Sequence, residues 1–182
     1  MLGPVLIGLA VVIGLLVIVA ATRPSDFGVS RSAAIAAPAE IVFAQVNTLR
    51  NWEAWNPWGK LDPNCRIDYD GPPAGVGAAY SWAGNAKVGA GRNTITESQP
   101  NDRVRFRLDF LKPMKATNTA EFVFKTDGSQ TMVTWSMSGK RNFAAKLFGL
   151  FINCDQMIGG QFEKGLAALK AVAEAEKTAV HS

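Results

Sequence analysis

From Leu2 to Thr22 no side chain carries a charge, and the run LGPVLIGLAVVIGLLVIVAAT divides the chain into two parts that obey different rules. About 20 apolar residues is the length at which a helix crosses the hydrocarbon of a bilayer, so the direct reading is a single-pass transmembrane anchor over residues 1–22. The competing reading is a cleaved secretory signal, which wants a basic start, a shorter apolar stretch and small residues at its end. MLGP carries no Lys or Arg and the run is too long, whereas VAAT would suit a signal. Gly3, Gly8 and Gly14 do not form a GxxxG spacing, so pairing of such helices has little support. Arg23 and Arg31 follow the run with Asp26 between them, a bias too small to choose the side of the membrane on which the rest lies.

A linker over residues 23–26 leads into residues 27–177, enough for one domain with a sizeable core, and a polar tail over 178–182 is expected to be disordered. The net charge of +4 comes from scattered Lys and Arg rather than a run. With no recognisable nucleic-acid motif, nucleic acid is not an expected partner, and a mild attraction to anionic lipid fits better. Cys65 and Cys154 lack a C-x-x-C; pairing in an oxidising compartment and two small buried thiols are both open.

Periodicity organises the domain. FGVSRSAAIAA alternates imperfectly but reads as a strand. In APAEIVFAQVNTLRNW, Pro38 suits a helix start, Glu40 its first turn, and Ile41, Val42, Val46 and Leu49 form a stripe. A second short helix carries Trp52, Trp55 and Trp58 at three-residue spacing and ends at Pro57. From Cys65 the period becomes two. CRIDYDG turns Ile67 and Tyr69 to one face and Asp68 and Asp70 to solvent; GAAYSWAG places Tyr80 and Trp82 together. GAGRNTITESQP aligns Asn93, Ile95 and Glu97, and DRVRFRLDF sets Val104, Phe106, Leu108 and Phe110 against Arg103, Arg105, Arg107 and Asp109. NTAEFVFK turns Ala120, Phe122 and Phe124 inward, DGS is a turn, and QTMVTWSMSG returns Val133, Trp135 and Met137. Residues 144–177 then read as one long helix whose stripe includes Leu147, Phe151, Cys154, Ile158 and Phe162, with Gly159 and Gly160 marking a bend or a close approach.

The order is strand, two short helices, six strands and one long helix, an α+β pattern in which a curled sheet must be covered by that helix. This order, with APAEIVFAQV, NWEAWNPW, TMVTWSMSG and MIGGQFEKGLAALK, resembles the SRPBCC superfamily, also called START-like or Bet v 1-like, and more narrowly bacterial polyketide cyclase/dehydrase-type proteins, over about Phe27 to Lys177. The resemblance implies a helix-grip fold: a seven-stranded antiparallel sheet curled around the C-terminal helix, enclosing an apolar cavity that takes lipids, sterols, quinones, polyketides or similar molecules.

His181 is the only histidine and sits at the chain end, which argues against a histidine-based nucleophile system or metal site. No cofactor or metal is expected. Strand parity offers Tyr69, Tyr80, Asn93, Glu97 and Asn118 as polar cavity candidates, and Glu97 either serves as an inward base or reaches water at a strand end. Apolar candidates are Trp82, Ile95, Phe106 and Leu108, then Phe122, Phe124 and Trp135 on the last strands and Phe151 and Ile158 on the helix; each also reads as simple core. Trp52, Trp55 and Trp58 fall at the cavity mouth as plugs, as part of a gate, or as a membrane-interface belt. The Arg103, Arg105, Arg107 row reads as a solvated face, with anionic headgroups the alternative. The resulting expectation is a membrane-tethered binding or carrier domain for a hydrophobic small molecule; a cyclase- or dehydratase-like enzyme using the same cavity is the alternative. Oligomeric state is left open.

Overall fold

A computed structural model describes residues 2–180. His181 therefore lies outside the described residues, and residues 178–180, expected to be disordered, continue the last helix. Seven strands form one antiparallel sheet: β1 (Asp26–Ile35), β2 (Arg66–Asp70), β3 (Ala79–Ala83), β4 (Ala90–Gln99), β5 (Arg103–Lys112), β6 (Ala116–Asp127) and β7 (Gln130–Lys140). Their order is β1-β7-β6-β5-β4-β3-β2, so sequential hairpins build six neighbours and β1 closes onto the last of them. Five helices accompany it: α1 (Leu2–Thr22), α2 (Ala39–Asn47), α3 (Trp52–Trp55), α4 (Phe143–Phe148) and α5 (Cys154–Val180). Single 3-10 turns at Leu49–Asn51 and Pro57–Leu61 flank α3. This is the expected helix-grip arrangement.

One expected helix is two. Gly149 closes α4, its N–H bonding Ala145 O at 3.0 Å, and Asn153 opens α5 by accepting the Gln156 N–H at 3.2 Å. A new N-cap satisfies end groups that a continuous helix would not leave open, so the chain turns between them. Phe151, expected on the helical stripe, consequently stands in that turn and is 73% exposed. α5 runs unbroken through Gly159 and Gly160, and Gly159 marks a close approach. The Arg31 side chain lies across Gly159, where a Cβ would stand. Arg31 faces the helix because β1 keeps strict alternation, and it pairs with Asp155 at 2.9 Å and Glu163 at 2.7 Å.

The core joins the concave face to the helices through rings. Trp135 stacks on Phe162 of α5 with centroids 4.2 Å apart and planes at 11°, and on Phe122 of β6 at 4.6 Å. Trp52, Trp55 and Trp58 meet Trp135 edge-on at 6.2, 5.9 and 5.6 Å. Buried indole N–H groups need acceptors, and the end of α2 supplies them: Trp52 donates to Val46 O at 2.8 Å and Trp55 to Gln45 O at 3.2 Å. Trp52 and Trp55 are thus interior side chains fixed to α2, which removes them from a membrane-interface role; Trp58 is half-buried.

On the convex face, Arg105 binds Glu121 at 2.7 Å and also Glu97, and Arg103 lies near both acids. Glu97 is therefore outside rather than inside. The register pairs Ile95 with Phe106 and Glu97 with Arg105, leaving Thr96 as an extra residue. Such a bulge inverts side-chain parity beyond it.

Candidate functional site

The sheet and α5 touch directly at the Trp135–Phe162 stack, so the middle of the expected cavity is filled with rings. Open space lies to one side, between the short helices and the β2–β3 edge. A cavity of about 40 Å³ is lined by Leu49, Trp52, Glu53, Asn56, Gly59, Ile67, Tyr69 and Tyr80. A cleft of about 240 Å³ is lined by Leu49, Arg50, Tyr69, Asp70, Gly71, Pro72, Pro73 and Ala79. Leu49 and Tyr69 belong to both walls. Tyr69 is thus the partition between a small apolar recess and a wider, partly charged cleft.

Local sequence explains the partition. Leu49–Asn51 and α3 follow one another without a break, so Arg50 and Glu53, three residues apart, project on the side next to β2. The Tyr69 hydroxyl donates to Glu53 Oε1 at 2.8 Å, and the Arg50 guanidinium lies 4.4 Å from the Tyr69 ring centroid. The ring is held on both faces of its chemistry, the hydroxyl by a carboxylate and the π-face by a cation. Beyond it Tyr80 bridges to the plug, 6.2 Å from Tyr69 and 6.1 Å from Trp52. Trp82 lies 6.0 Å from Tyr80 and 5.7 Å from Phe110, its indole donating to Val88 O at 3.0 Å.

Strand register sets the remaining candidates in one cross-strand row. Tyr69 faces Tyr80, Tyr80 faces Asn93, Asn93 faces Leu108, and Leu108 faces Asn118. Asn93 and Asn118 are buried at 3% and 7% exposure, and the Oδ1 of each finds no hydrogen-bond partner among the described residues. A buried acceptor left unmet costs about 1–3 kcal/mol, which marks this row as unusual within an otherwise apolar face. Ile95, Phe106, Phe122, Phe124 and Trp135 are buried core, and Ile158 is half-buried against it. The structure thus brings Tyr69, Tyr80 and Trp52 to the recess, with Tyr69 also on the cleft, sets Asn93, Leu108 and Asn118 further along the same cross-strand row, and leaves Glu97 and Phe151 elsewhere. Sequence reasoning missed Arg50, Glu53 and Asn56; their only signal is polar spacing of three on the face next to the tryptophans.

Burial raises the Tyr69 phenol well above the usual tyrosine range, and the bond to the Glu53 carboxylate adds to it. Burial pushes Tyr80 up to about 12, against a smaller downward pull from its bond with Asn93. These are the chain's two tyrosines, which makes the result directly readable. Ultraviolet titration of the folded protein is expected to show no phenolate step at pH 10 and to begin near 12. Because both values are raised, the stability owed to the neutral phenols is complete below the unfolded value of 10.0 and declines as pH rises above it. A phenolate signal for one tyrosine at its ordinary value in the folded protein would place that ring in solvent.

Cys65 and Cys154 are free thiols. Burial, then the neighbouring Asp62, raises the Cys65 thiol.

Residues 26–174 match the family described as polyketide cyclase/dehydrase and lipid transport. No curated protein matches the chain significantly. The fold is similar to protein Mll3558 from Rhizobium loti, at 13% identity and TM-score 0.62 over 82% of this chain and 98% of that one. Protein CV1439 from Chromobacterium violaceum superposes at TM-score 0.60 and 14% identity, covering 81% of this chain and 96% of its own. Major latex-like protein 151 from Panax ginseng gives TM-score 0.55 and 14% identity, with 81% and 97% covered. At such identities the likeness carries the fold alone.

Proposed function

This chain belongs to the polyketide cyclase/dehydrase and lipid transport family of the SRPBCC superfamily, and from that premise we propose that it is a membrane-tethered domain that binds or carries one hydrophobic molecule with a polar end. The observation that carries the reading is the divided space around Tyr69. The recess beyond the ring is walled by Leu49, Trp52, Ile67 and Tyr80, while Arg50 and Asp70 stand at the outer cleft. At about 40 Å³ the recess takes only the tip of an apolar body, so binding requires that it open into the cleft of about 240 Å³, where Arg50 and Asp70 suit a charged or hydroxylated end. Leu49 and Tyr69 wall both spaces, so a turn of the Tyr69 ring is the movement that would join them.

The tether is α1, a helix of 21 residues that is long and apolar enough to cross a bilayer. Residues 1–22 then act as the anchor and the domain follows after a short linker. Full-length protein purified in detergent is expected to retain a stoichiometric hydrophobic molecule in native mass spectrometry, identifiable after solvent extraction. Ile67→Trp, at a site 38% exposed on the β2 edge, should fill the recess and release it without unfolding the sheet. A wild-type chain that stays empty after exposure to a total lipid extract would refute carriage, and retention undiminished by Ile67→Trp would place the ligand elsewhere.

A further inference from the structure

We propose that the segment from Phe143 to Met157 is a second membrane contact, a short foot that enters the lipid interface beside the anchor. It rests on the reading of α1 as a membrane anchor. Phe143, Phe148, Phe151, Ile152 and Met157 are 49%, 63%, 73%, 40% and 57% exposed, a cluster of large apolar side chains that a water-facing surface does not favour. Within the domain, α4 has no buried residue.

The neighbour of α4 identifies what covers the cluster. α4 packs against α1. Along the otherwise exposed α1, Gly14 and Leu16 are half-buried and Ala20 is fully buried; Leu16 and Ala20, four apart, share one helix face. From Leu16 to Thr22 the helix rises about 9 Å, so α4 lies alongside the last turns of the apolar helix rather than beyond its end. If those turns are in lipid, the exposed rings of α4 and the following turn meet lipid at the same depth. Charge agrees. The stretch GKRNFAAKLFGLFIN contains Lys140, Arg141 and Lys146 and no acid, and Arg23 closes the anchor. Basic side chains around exposed Phe and Ile are the pattern of an interfacial segment on an anionic surface. Asp155, the first acid after it, is engaged by Arg31.

The test uses the full chain with Cys65→Ser and Cys154→Ser, carrying one new cysteine at a time: Val12→Cys in α1, Phe151→Cys or Phe148→Cys in the foot, and Gly128→Cys in the β6–β7 turn. Each is labelled with an environment-sensitive NBD probe and reconstituted in phosphatidylcholine vesicles with and without phosphatidylserine. The expected result is a blue shift and doxyl-lipid quenching at 12, 148 and 151, with shallow doxyl groups more effective at 148 and 151 and deep ones at 12, and neither effect at 128. Phosphatidylserine should deepen the quenching in the foot. A lipid signal at 12 with water-like emission at both 148 and 151 overturns the foot and leaves the anchor standing. Water-like emission at 12 overturns the anchor reading and the foot with it. A blue shift at 151 without doxyl quenching, growing with the protein-to-lipid ratio, would mean that a second copy of the chain covers the cluster, and overturns the proposal as well.

Discussion

Trp135→Ala is expected to lower the unfolding free energy by about 3–5 kcal/mol, the range for removing a large buried aromatic. Trp135 is 3% exposed and, among the described residues, is the one that stacks on both the sheet, through Phe122 at 4.6 Å, and the long helix, through Phe162 at 4.2 Å. Its rim is closed by the edges of Trp52, Trp55 and Trp58. Truncation removes its own buried surface and leaves a space that rings anchored to different elements cannot all collapse into. Trp135→Phe keeps the stacking and should lose much less. Denaturant midpoints followed by circular dichroism on the full chain in detergent measure both; an alanine variant within about 1 kcal/mol of wild type would show that the stack does not hold sheet and helix together.

Gly165→Ala and Gly160→Ala are expected to change stability in opposite directions although both lie in α5. In an open helix position, Gly→Ala gains about 1 kcal/mol because the backbone loses less freedom on folding. Nothing lies within 4 Å of a Cβ placed at Gly160, so the gain should appear there. A Cβ at Gly165 would stand 2.7 Å from Trp135 Cζ3 and 3.0 Å from Pro57 Cδ, atoms fixed by the plug and by the turn that ends α3. Overpacking such a contact costs about 1–3 kcal/mol, enough to reverse the sign. The same denaturation series decides it, and a stabilised Gly165→Ala would mean that α5 moves away from the plug at little cost.

Together these contacts explain why the plug matters for function. The tryptophans fill the centre of the grip, and the recess and cleft lie at the Tyr69 edge, where Arg50 and Glu53 hold the partition. Under the proposed reading a ligand there would meet the plug through Trp52, which lines the recess and lies edge-on to Trp135.

Much of this was legible before any coordinates. Alternation in DRVRFRLDF separates the buried Val104 and Phe106 from the paired arginines, because a strand has period two whatever it packs against. The same rule does not decide between the two readings of Glu97, because the bulge at Thr96 that turns it outward is an extra residue relative to a partner strand and exists only once the pairing does. Phe151 was misplaced for a related reason. Its spacing fits a helical stripe, and only the cap at Asn153 shows that the helix begins after it.

Local chemistry therefore determined the apolar N-terminal helix, the seven strands, the closing helix and their order, because periodicity, turns and caps act between residues near in sequence. The tertiary structure decided where space remains. Whether the tryptophans line a cavity or fill it depends on side chains from β6, β7, α3 and α5 arriving at one point, and the partition at Tyr69 depends on a β2 residue meeting Glu53 and Arg50 from the short helices. Such contacts are set by packing between elements distant in sequence, where close-packed interiors leave one arrangement that the period of any single element does not specify.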